Sequence, residues 1–242
     1  MEGVWEAQEL ANAASRALRV SGSETSLAFY IWFGKSNASP QMVNRLLNNH
    51  FLTARSHLPA PTLQMKMSFE GRARYTPQNG APAPGLDSLL YVCPSADSPL
   101  SDTCGSSNSE YDMAKVATTH GANRQRVGPT VLIVCPAFFS RTRPTNAEMV
   151  RSYRQSIDTQ KFSNGFFLLH ELQHMPKATS PDPPAEDMPD PDDPSRDCYS
   201  VRCCPMLQHN QKIRNAQNFA FFALDAVAFP QYTEPGSASP LS

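Results

Sequence analysis

The chain has 242 residues, enough for one large or two small domains with a substantial core. Hydrophobic residues make up 40% of it and the net charge is −1, so neither nucleic acid nor an anionic membrane is indicated as a main partner. No run approaches the roughly 18 consecutive apolar residues of a membrane span. The 22 prolines, about twice the usual share, predict long irregular connections.

Residues 1–57 predict a helical N-terminal part. Apolar residues recur at helical spacing over 4–18, and a second, very apolar segment follows with Thr25 as its predicted N-cap. Ser39 followed by Pro40 predicts the start of a third helix, because proline is favoured at the first helical position.

The middle of the chain predicts strands. Residues 63–69 alternate between apolar and polar side chains, as a half-buried strand does, and residues 89–93 form a short apolar run. Residues 131–135 are apolar and mostly β-branched, which indicates a buried strand. Thr145 and Glu148 then form a capping box for a helix predicted over 145–157.

Residues 166–175 form the segment that carries chemistry, since they contain His-Glu-x-x-His, the zinc-binding signature of metalloproteases. Each helical residue advances about 100°, so His170 and His174 lie about 40° apart on one face. Two imidazoles placed in this way can share one zinc ion, and Glu171 between them can act as a general base. The elements together predict an α+β, zincin-like fold, mostly helical, with a small β-sheet packed on this helix.

A proline-rich and acidic loop insertion is predicted over residues 176–196. Residues 181–194 contain six prolines and six acids, a composition that cannot form a packed helix or strand. Two interpretations are open: a solvated, mobile insertion, or an acidic lid beside the cleft that attracts basic substrate residues. A helix predicted over 211–227 should back the zinc helix, residues 1–229 should form a single domain, and 230–242 should be a disordered tail.

The cysteine content indicates the redox environment in which the protein folds. They are six in number and none lies in a CxxC motif: Cys93, Cys104, Cys135, Cys198, Cys203 and Cys204. Disulfides and an oxidising environment are the better interpretation, and 15 pairings are open, among them Cys93–Cys104. The acidic start of the chain has neither the basic nor the apolar region of a signal peptide, so a cytosolic protein with free thiols is the competing interpretation.

A catalytic zinc needs three protein ligands and one open position. No His-x-x-Gly-x-x-His extension follows His174, and the downstream glutamates Glu186 and Glu234 lie in the proline-rich loop and in the tail. The downstream acids are mostly aspartates, so an aspartate is the economical third ligand.

Several motifs resemble the aspzincins, the family of deuterolysin and the fungal peptidyl-Lys metalloendopeptidases, whose pattern is His-Glu-x-x-His followed by Gly-Thr-x-Asp-x-x-Tyr-Gly. The resemblance spans about residues 90–228. It rests on the following residues besides the zinc helix: the strand Val131-Leu132-Ile133-Val134-Cys135-Pro136-Ala137-Phe138-Phe139, then Tyr199, Cys204, Leu207, Asn215-Ala216-Gln217-Asn218-Phe219 and Phe222.

The resemblance implies a secreted zinc metalloendopeptidase with one Zn²⁺, acting on proteins or peptides as a monomer, with no nucleic-acid or membrane partner. It implies an aspartate ligand and a tyrosine that supports the transition state, here Tyr199. Arg196 occupies the place of the aspartate, and Asp197 lies one residue late, so Asp197 is the predicted third ligand, with Asp193 and Asp192 in reserve. Because this second motif is altered, a catalytically impaired zinc-binding protein of the same fold is the alternative.

Overall fold

The computed structural model divides the chain into two compact units where the sequence predicted a single domain. One unit comprises Met1–Leu58 and Pro144–Ser242, and the other Pro59–Arg143. The structure describes the following residues: 2–58, 67–69, 75–77, 89–92, 114–120, 126–135, 138, 140, 142–157 and 161–237.

The first unit is built from helices. They are α1 (Glu2–Leu18), α2 (Leu27–Trp32), α3 (Pro40–Arg45), α4 (Thr53–Ser56), α5 (Asn146–Gln155), α6 (Asn164–Gln173), α7 (His209–Lys212) and α8 (Ala216–Ala228). The segment Leu46–Leu52 between α3 and α4 is π-helical. Short 3₁₀ helices lie at Ser23–Thr25, Lys35–Asn37, Cys204–Met206 and Pro230–Thr233. No helix in the described part of the chain is both long and apolar enough to cross a membrane.

The helix starts follow local side-chain chemistry. Ser39 caps α3 and accepts a hydrogen bond from the backbone of Met42, and Thr145 forms the predicted capping box with α5. The cap of α2 is Ser26, whose hydroxyl accepts from the Phe29 N–H, and not the predicted Thr25. Thr25 lies inside the preceding 3₁₀ helix, so the first extended residue before α2 is Ser26.

The core of this unit lies where α6 and α8 pack together, which confirms that a C-terminal helix backs the helix with His170 and His174. Phe166 on α6 meets Phe221 on α8 edge to face with ring centroids 5.3 Å apart, and Trp32 stacks on Phe221 at 4.9 Å. The single helix predicted over 211–227 is instead two helices. The helix is interrupted before Asn215, whose backbone is extended. The Asn215 side chain hydrogen-bonds the preceding loop, where it accepts from the Met188 N–H and donates to the Cys198 carbonyl.

Residues 230–237 belong to the region predicted as a disordered tail, yet they form a 3₁₀ helix and dock on the start of α2. The Leu27 N–H donates to the Ser237 hydroxyl, and the Gly236 N–H donates to the Thr25 hydroxyl, both at 2.9 Å. These bonds hold residues 236 and 237 beside the N-terminal helices.

In the described residues of the second unit, five strands form two sheets. β1 (Met67–Phe69) pairs antiparallel with β2 (Tyr75–Pro77). In the other sheet β5 (Arg126–Val134) lies between β3 (Leu89–Val92), which is parallel to it, and β4 (Ala114–His120), which is antiparallel. Packing of a sheet on the zinc helix stays a prediction.

The buried strand predicted over 131–135 overlaps the end of β5 at Val134, and Leu132 to Cys135 are buried. Cys135 is disulfide-bonded. The proposed pair Cys93–Cys104 lies outside the described residues.

Candidate metal centre

Helix α6 is held inside the protein over most of its length. Ser163 caps it and accepts from the Phe166 N–H at 3.1 Å, and the side chains of Phe166, Leu169 and Leu172 are buried. Apart from Asn164 and Glu171, every residue of α6 is buried. His170 is therefore only 5% exposed, and its position is set by the packing of the helix.

The structure brings two predicted residues and one unpredicted residue together. His170 and His174 point their Nε2 atoms at each other across 3.1 Å. Oδ1 of Asp187, in the loop after α6, lies 3.4 Å from each of these nitrogens. Among the described residues this is the one cluster of histidine, cysteine or acidic side chains with the spacing of a metal site.

These atoms fit a zinc ion. Ligands held about 2.1 Å from one tetrahedral zinc stand about 3.4 Å apart, which is close to the three separations found here. Oδ1 of Asp187 is buried and makes no hydrogen bond with any described residue, as expected for an atom reserved for a metal. Two imidazole nitrogens and one carboxylate oxygen favour zinc over magnesium or calcium, which prefer oxygen ligands.

The His174 ring is oriented by the loop that follows. Its Nδ1 lies 2.9 Å from the carbonyl oxygen of Ala185, which can only accept, so Nδ1 carries the proton. In its neutral form, which a metal ligand must adopt, the ring therefore directs its Nε2 lone pair toward His170 and Asp187. The Ala185 N–H in turn donates to the Gln173 carbonyl at 2.8 Å, so the loop is bonded to the end of α6 twice.

Burial and the neighbouring charges shift the pKa values of all three clustered residues. Burial, with the neighbouring His174, lowers the pKa of His170 to about 4, so His170 is a neutral ligand at pH 7. Burial opposes charge on His174 as well, but the Asp187 carboxylate and Glu171 outweigh it and raise the His174 pKa to about 9. Burial would raise the pKa of Asp187, yet interaction with His174 lowers it to about 2, so this carboxylate is ionised.

Glu171 and Tyr199, the predicted catalytic residues, lie beside the cluster. Oε1 of Glu171 is 4.0 Å from Nε2 of His170. The Tyr199 ring packs edge to face on the His170 ring at 5.7 Å, and its hydroxyl donates to Asp197 at 3.3 Å and also interacts with Asp187. Burial and these two carboxylates hold the pKa of Tyr199 well above its usual range, so its hydroxyl keeps its proton.

The predicted third ligand Asp197 and its two reserves do not join the histidines. Asp197 is exposed and accepts from the Tyr199 hydroxyl. Asp193 pairs with Arg196 at 2.8 Å within the loop, and Asp192 is exposed. Asp187 occupies the position that the sequence analysis assigned to Asp197.

A hairpin-like loop between Asp187 and Tyr199 explains why Asp187, and not Asp197, lies beside the histidines. The Cys198 N–H donates to the Met188 carbonyl at 2.7 Å, and Pro189 bridges Asp197 in antiparallel fashion. Continued by one residue beyond Met188 and Cys198, the same antiparallel register places Asp187 opposite Tyr199. The pattern predicts an aspartate three residues before the tyrosine, but in this chain eleven residues separate Asp187 from Tyr199 in sequence while the two lie close in space.

One signal could have identified Asp187. Ala185 and Met188 are the only apolar residues other than proline in the acidic run 181–194, and both are buried. An apolar pair that flanks two acids indicates a segment anchored in the core, with the acids beside it. The predicted mobile insertion is therefore anchored at this point.

A second residue missed by the sequence analysis is Gln217, in the first turn of α8. Its side-chain amide donates to the Tyr199 carbonyl at 2.9 Å and also interacts with the His170 imidazole. Gln217 thus contacts both a predicted ligand and the predicted tyrosine. Its position in the fold supplies this contact, and no motif in the sequence indicates it.

A disulfide lies next to the site, in agreement with the predicted presence of disulfides. It joins Cys198 to Cys203, five residues apart. Cys204 is a buried free thiol, and its sulfur donates to the Cys198 carbonyl at 3.3 Å. Burial raises the pKa of the Cys204 thiol well above its usual value, so this thiol is unreactive at pH 7.

Comparisons with known proteins agree with this geometry at the level of the fold. No protein family matches the sequence, and no curated protein matches it. Among solved structures, a zinc peptidase from Grifola frondosa is similar to this chain at 15% identity with a TM-score of 0.50, over 94% of this chain and 93% of that one. The chain therefore shares its fold with a zinc peptidase.

Proposed function

We propose that this chain is a zinc-dependent metalloendopeptidase of the aspzincin type, in which His170, His174 and Asp187 hold the ion. One observation carries the proposal: three ligand atoms stand 3.1, 3.4 and 3.4 Å apart, with Glu171 beside them. Three protein ligands leave one position open, which is the arrangement of catalytic rather than structural zinc.

The chemistry follows from the groups around that open position. Zinc, when bound, supplies Lewis acidity that polarises a carbonyl and lowers the pKa of water to about 7. Glu171 takes the proton from the attacking water and passes it to the leaving amine. The ionised Asp187 offsets the positive charge in this buried site, and His174 is held in the ligand tautomer by Ala185.

Tyr199 supplies the hydrogen-bond donor for the oxyanion that develops at the scissile carbonyl. Its hydroxyl keeps its proton because burial and the neighbouring Asp187 and Asp197 disfavour the phenolate. In the substrate complex the hydroxyl turns from Asp197 to the oxyanion, and removal of one such donor costs about 100- to 1,000-fold in rate. The Tyr199→Phe variant, which keeps the ring against His170, measures this contribution.

The test is casein cleavage by the purified chain, with and without a chelator, together with the zinc content. We expect one equivalent of zinc and cleavage that the chelator abolishes and added zinc restores. The matched variant is Glu171→Gln, which should keep its zinc and lose activity by about 100- to 10,000-fold, the usual contribution of a general base. One equivalent of zinc without cleavage in the wild type would favour the alternative, a zinc-binding protein without peptidase activity.

Secretion as a monomer is part of the proposal, and the Cys198–Cys203 disulfide supports an oxidising compartment. Alkylation under denaturing conditions without reductant should label Cys204 and leave Cys198 and Cys203 unlabelled. Six labelled cysteines would instead support the cytosolic alternative with free thiols.

A further inference from the structure

The π-helical segment Leu46–Leu52 aligns two polar side chains that an α-helix would separate. Five residues on an α-helix turn through about 500°, which leaves residue i+5 about 140° away from residue i. In a π-helix the hydrogen bonds run between residues i and i+5, which brings residue i+5 closer to the face of residue i than in an α-helix. Arg45 is the last residue of α3 and lies five residues before His50, and both side chains contact Asp182 in the loop that follows α6.

Both side chains bind one oxygen atom of Asp182. Nε of Arg45 lies 2.7 Å and Nε2 of His50 lies 3.2 Å from Oδ2 of Asp182, and the Asn49 side chain adds a further hydrogen bond. Burial would raise the pKa of Asp182, but the Arg45 and Asn49 hydrogen bonds outweigh it and lower that pKa. The Asp182 carboxylate is thus an ionised anchor at the beginning of the acidic loop.

The other side of the His50 ring reaches the helix that carries the metal ligands. Its Nδ1 is hydrogen-bonded to the Gln173 side chain at 3.0 Å, and Gln173 immediately precedes His174. Gln173 is fully buried, and its carbonyl accepts from the Ala185 N–H. The His50 ring is itself only 3% exposed and stacks on Phe219 at 4.4 Å. One rigidly packed imidazole therefore bonds both the end of α6 and the loop that leads to Asp187.

We propose that His50 is a positioning residue of the metal site: through Asp182 and Gln173 it holds the loop so that Asp187 faces His170 and His174. The inference rests on the zinc site of the proposed function. Metal sites tolerate only about 0.2 Å of error in ligand distance, and only four residues lie between Asp182 and Asp187. Release of the Asp182 anchor lets that short connection move by more than this tolerance.

The test is the zinc affinity of His50→Phe and Asp182→Asn, measured by competition with a chromophoric chelator. His50→Phe keeps an aromatic ring against Phe219 and loses both ring nitrogens. Asp182→Asn is the milder change and serves if His50→Phe folds poorly. We expect each variant to bind zinc about 10- to 100-fold more weakly, the usual cost of losing a group that orients a ligand. Arg196→Met is the matched control, because it breaks an exposed ion pair with Asp193 in the same loop, and its affinity should equal that of the wild type.

A second readout separates positioning from simple stabilisation. The visible spectrum of the Co²⁺-loaded protein reports the ligand set, and it should change in His50→Phe and Asp182→Asn and stay unchanged in Arg196→Met. Lower thermal stability with wild-type zinc affinity and a wild-type cobalt spectrum in both variants would overturn the positioning role and leave the proposed function intact. A wild-type chain that binds no zinc would overturn both.

Discussion

The carboxylate of Glu6 on α1 accepts a hydrogen bond from the backbone N–H of Gly165, in the first turn of the helix that carries His170. Its Oε2 lies 3.2 Å from the Gly165 nitrogen, and its Oε1 lies 2.7 Å from the nitrogen of Asn146 at the start of α5. One buried carboxylate thus stands at two helix N-termini, where the helix dipoles favour negative charge. Burial raises the pKa of Glu6, and the two backbone donors oppose this. The position of the zinc helix therefore depends on α1, far away in the sequence.

The first prediction concerns Glu6→Gln. A glutamine has one acceptor oxygen where the carboxylate has two, so one of the two buried N–H groups loses its partner and faces an NH₂ group. We expect a loss of about 1–3 kcal/mol in the free energy of unfolding, measured by urea denaturation at pH 7. Glu2→Gln, an exposed change of the same charge on the same helix, should stay within about 0.5 kcal/mol of the wild type. Equal effects of the two variants would contradict this role of Glu6.

The second prediction concerns Gly165→Ala. A β-carbon at residue 165 would lie 2.3 Å from the Glu6 β-carbon and 2.6 Å from the Ala7 backbone nitrogen. The clash is with backbone and cannot be relieved by a side-chain rotation, so α1 and α6 must move apart. We expect destabilisation of about 3 kcal/mol or more, at the upper end of overpacking effects, seen as a lower urea midpoint. A midpoint equal to that of the wild type would show that the two helices do not approach so closely.

The third prediction separates Asp187 from Asp197 as the zinc ligand. Asp187→Asn should weaken zinc binding by more than about 100-fold, beyond the usual effect of an outer-shell residue, because it removes the ligand charge itself. Asp197→Asn should retain one equivalent of zinc, since its carboxylate contacts Tyr199 and not the histidines. Equilibrium dialysis followed by metal analysis measures both variants. Loss of zinc from the Asp197 variant alone would restore the ligand predicted from the sequence.

The fourth prediction is a pH dependence of stability caused by Asp225 on α8. This carboxyl is buried and accepts from the Trp32 indole and from the Tyr153 hydroxyl at 3.0 Å. Burial raises its pKa from 3.8 to about 6, although both donors lower it. The folded state thus binds the proton more tightly than the unfolded state. The stabilisation is complete below about pH 4 and is lost as the pH rises through about 6, a decrease of about 3 kcal/mol.

Asp225→Asn should remove this decrease and leave a flatter stability profile between pH 4 and pH 7, because an amide does not titrate there. Its oxygen can still accept from Trp32. Asp192→Asn, which removes an exposed carboxyl, is the control and should retain the wild-type slope. Urea denaturation at several pH values measures both, and a wild-type slope in Asp225→Asn would assign the titration to another group.

Local chemistry explains why many elements were predictable. The caps Ser39 and Thr145 form hydrogen bonds with residues three positions away, so nearby sequence is sufficient to predict them. The spacing of His170 and His174 needs only helical geometry. The break before Asn215 was not predictable in this way, because the Asn215 side chain bonds the distant Met188 N–H.

The sequence by itself determined that His170, Glu171 and His174 lie together on one helix, because they follow one another within about one turn. It also favoured an aspartate as the third ligand, because no His-x-x-Gly-x-x-His extension follows His174 and the downstream glutamates lie in the proline-rich loop and in the tail. Only the tertiary structure showed which aspartate lies beside the two histidines. Backbone pairing of Met188 with Cys198, and the bonds from His50 and Gln173 to the loop, bring Asp187 to the histidines and leave Asp197 at the surface. Such contacts join residues far apart in the chain, and motif spacing carries no information about them.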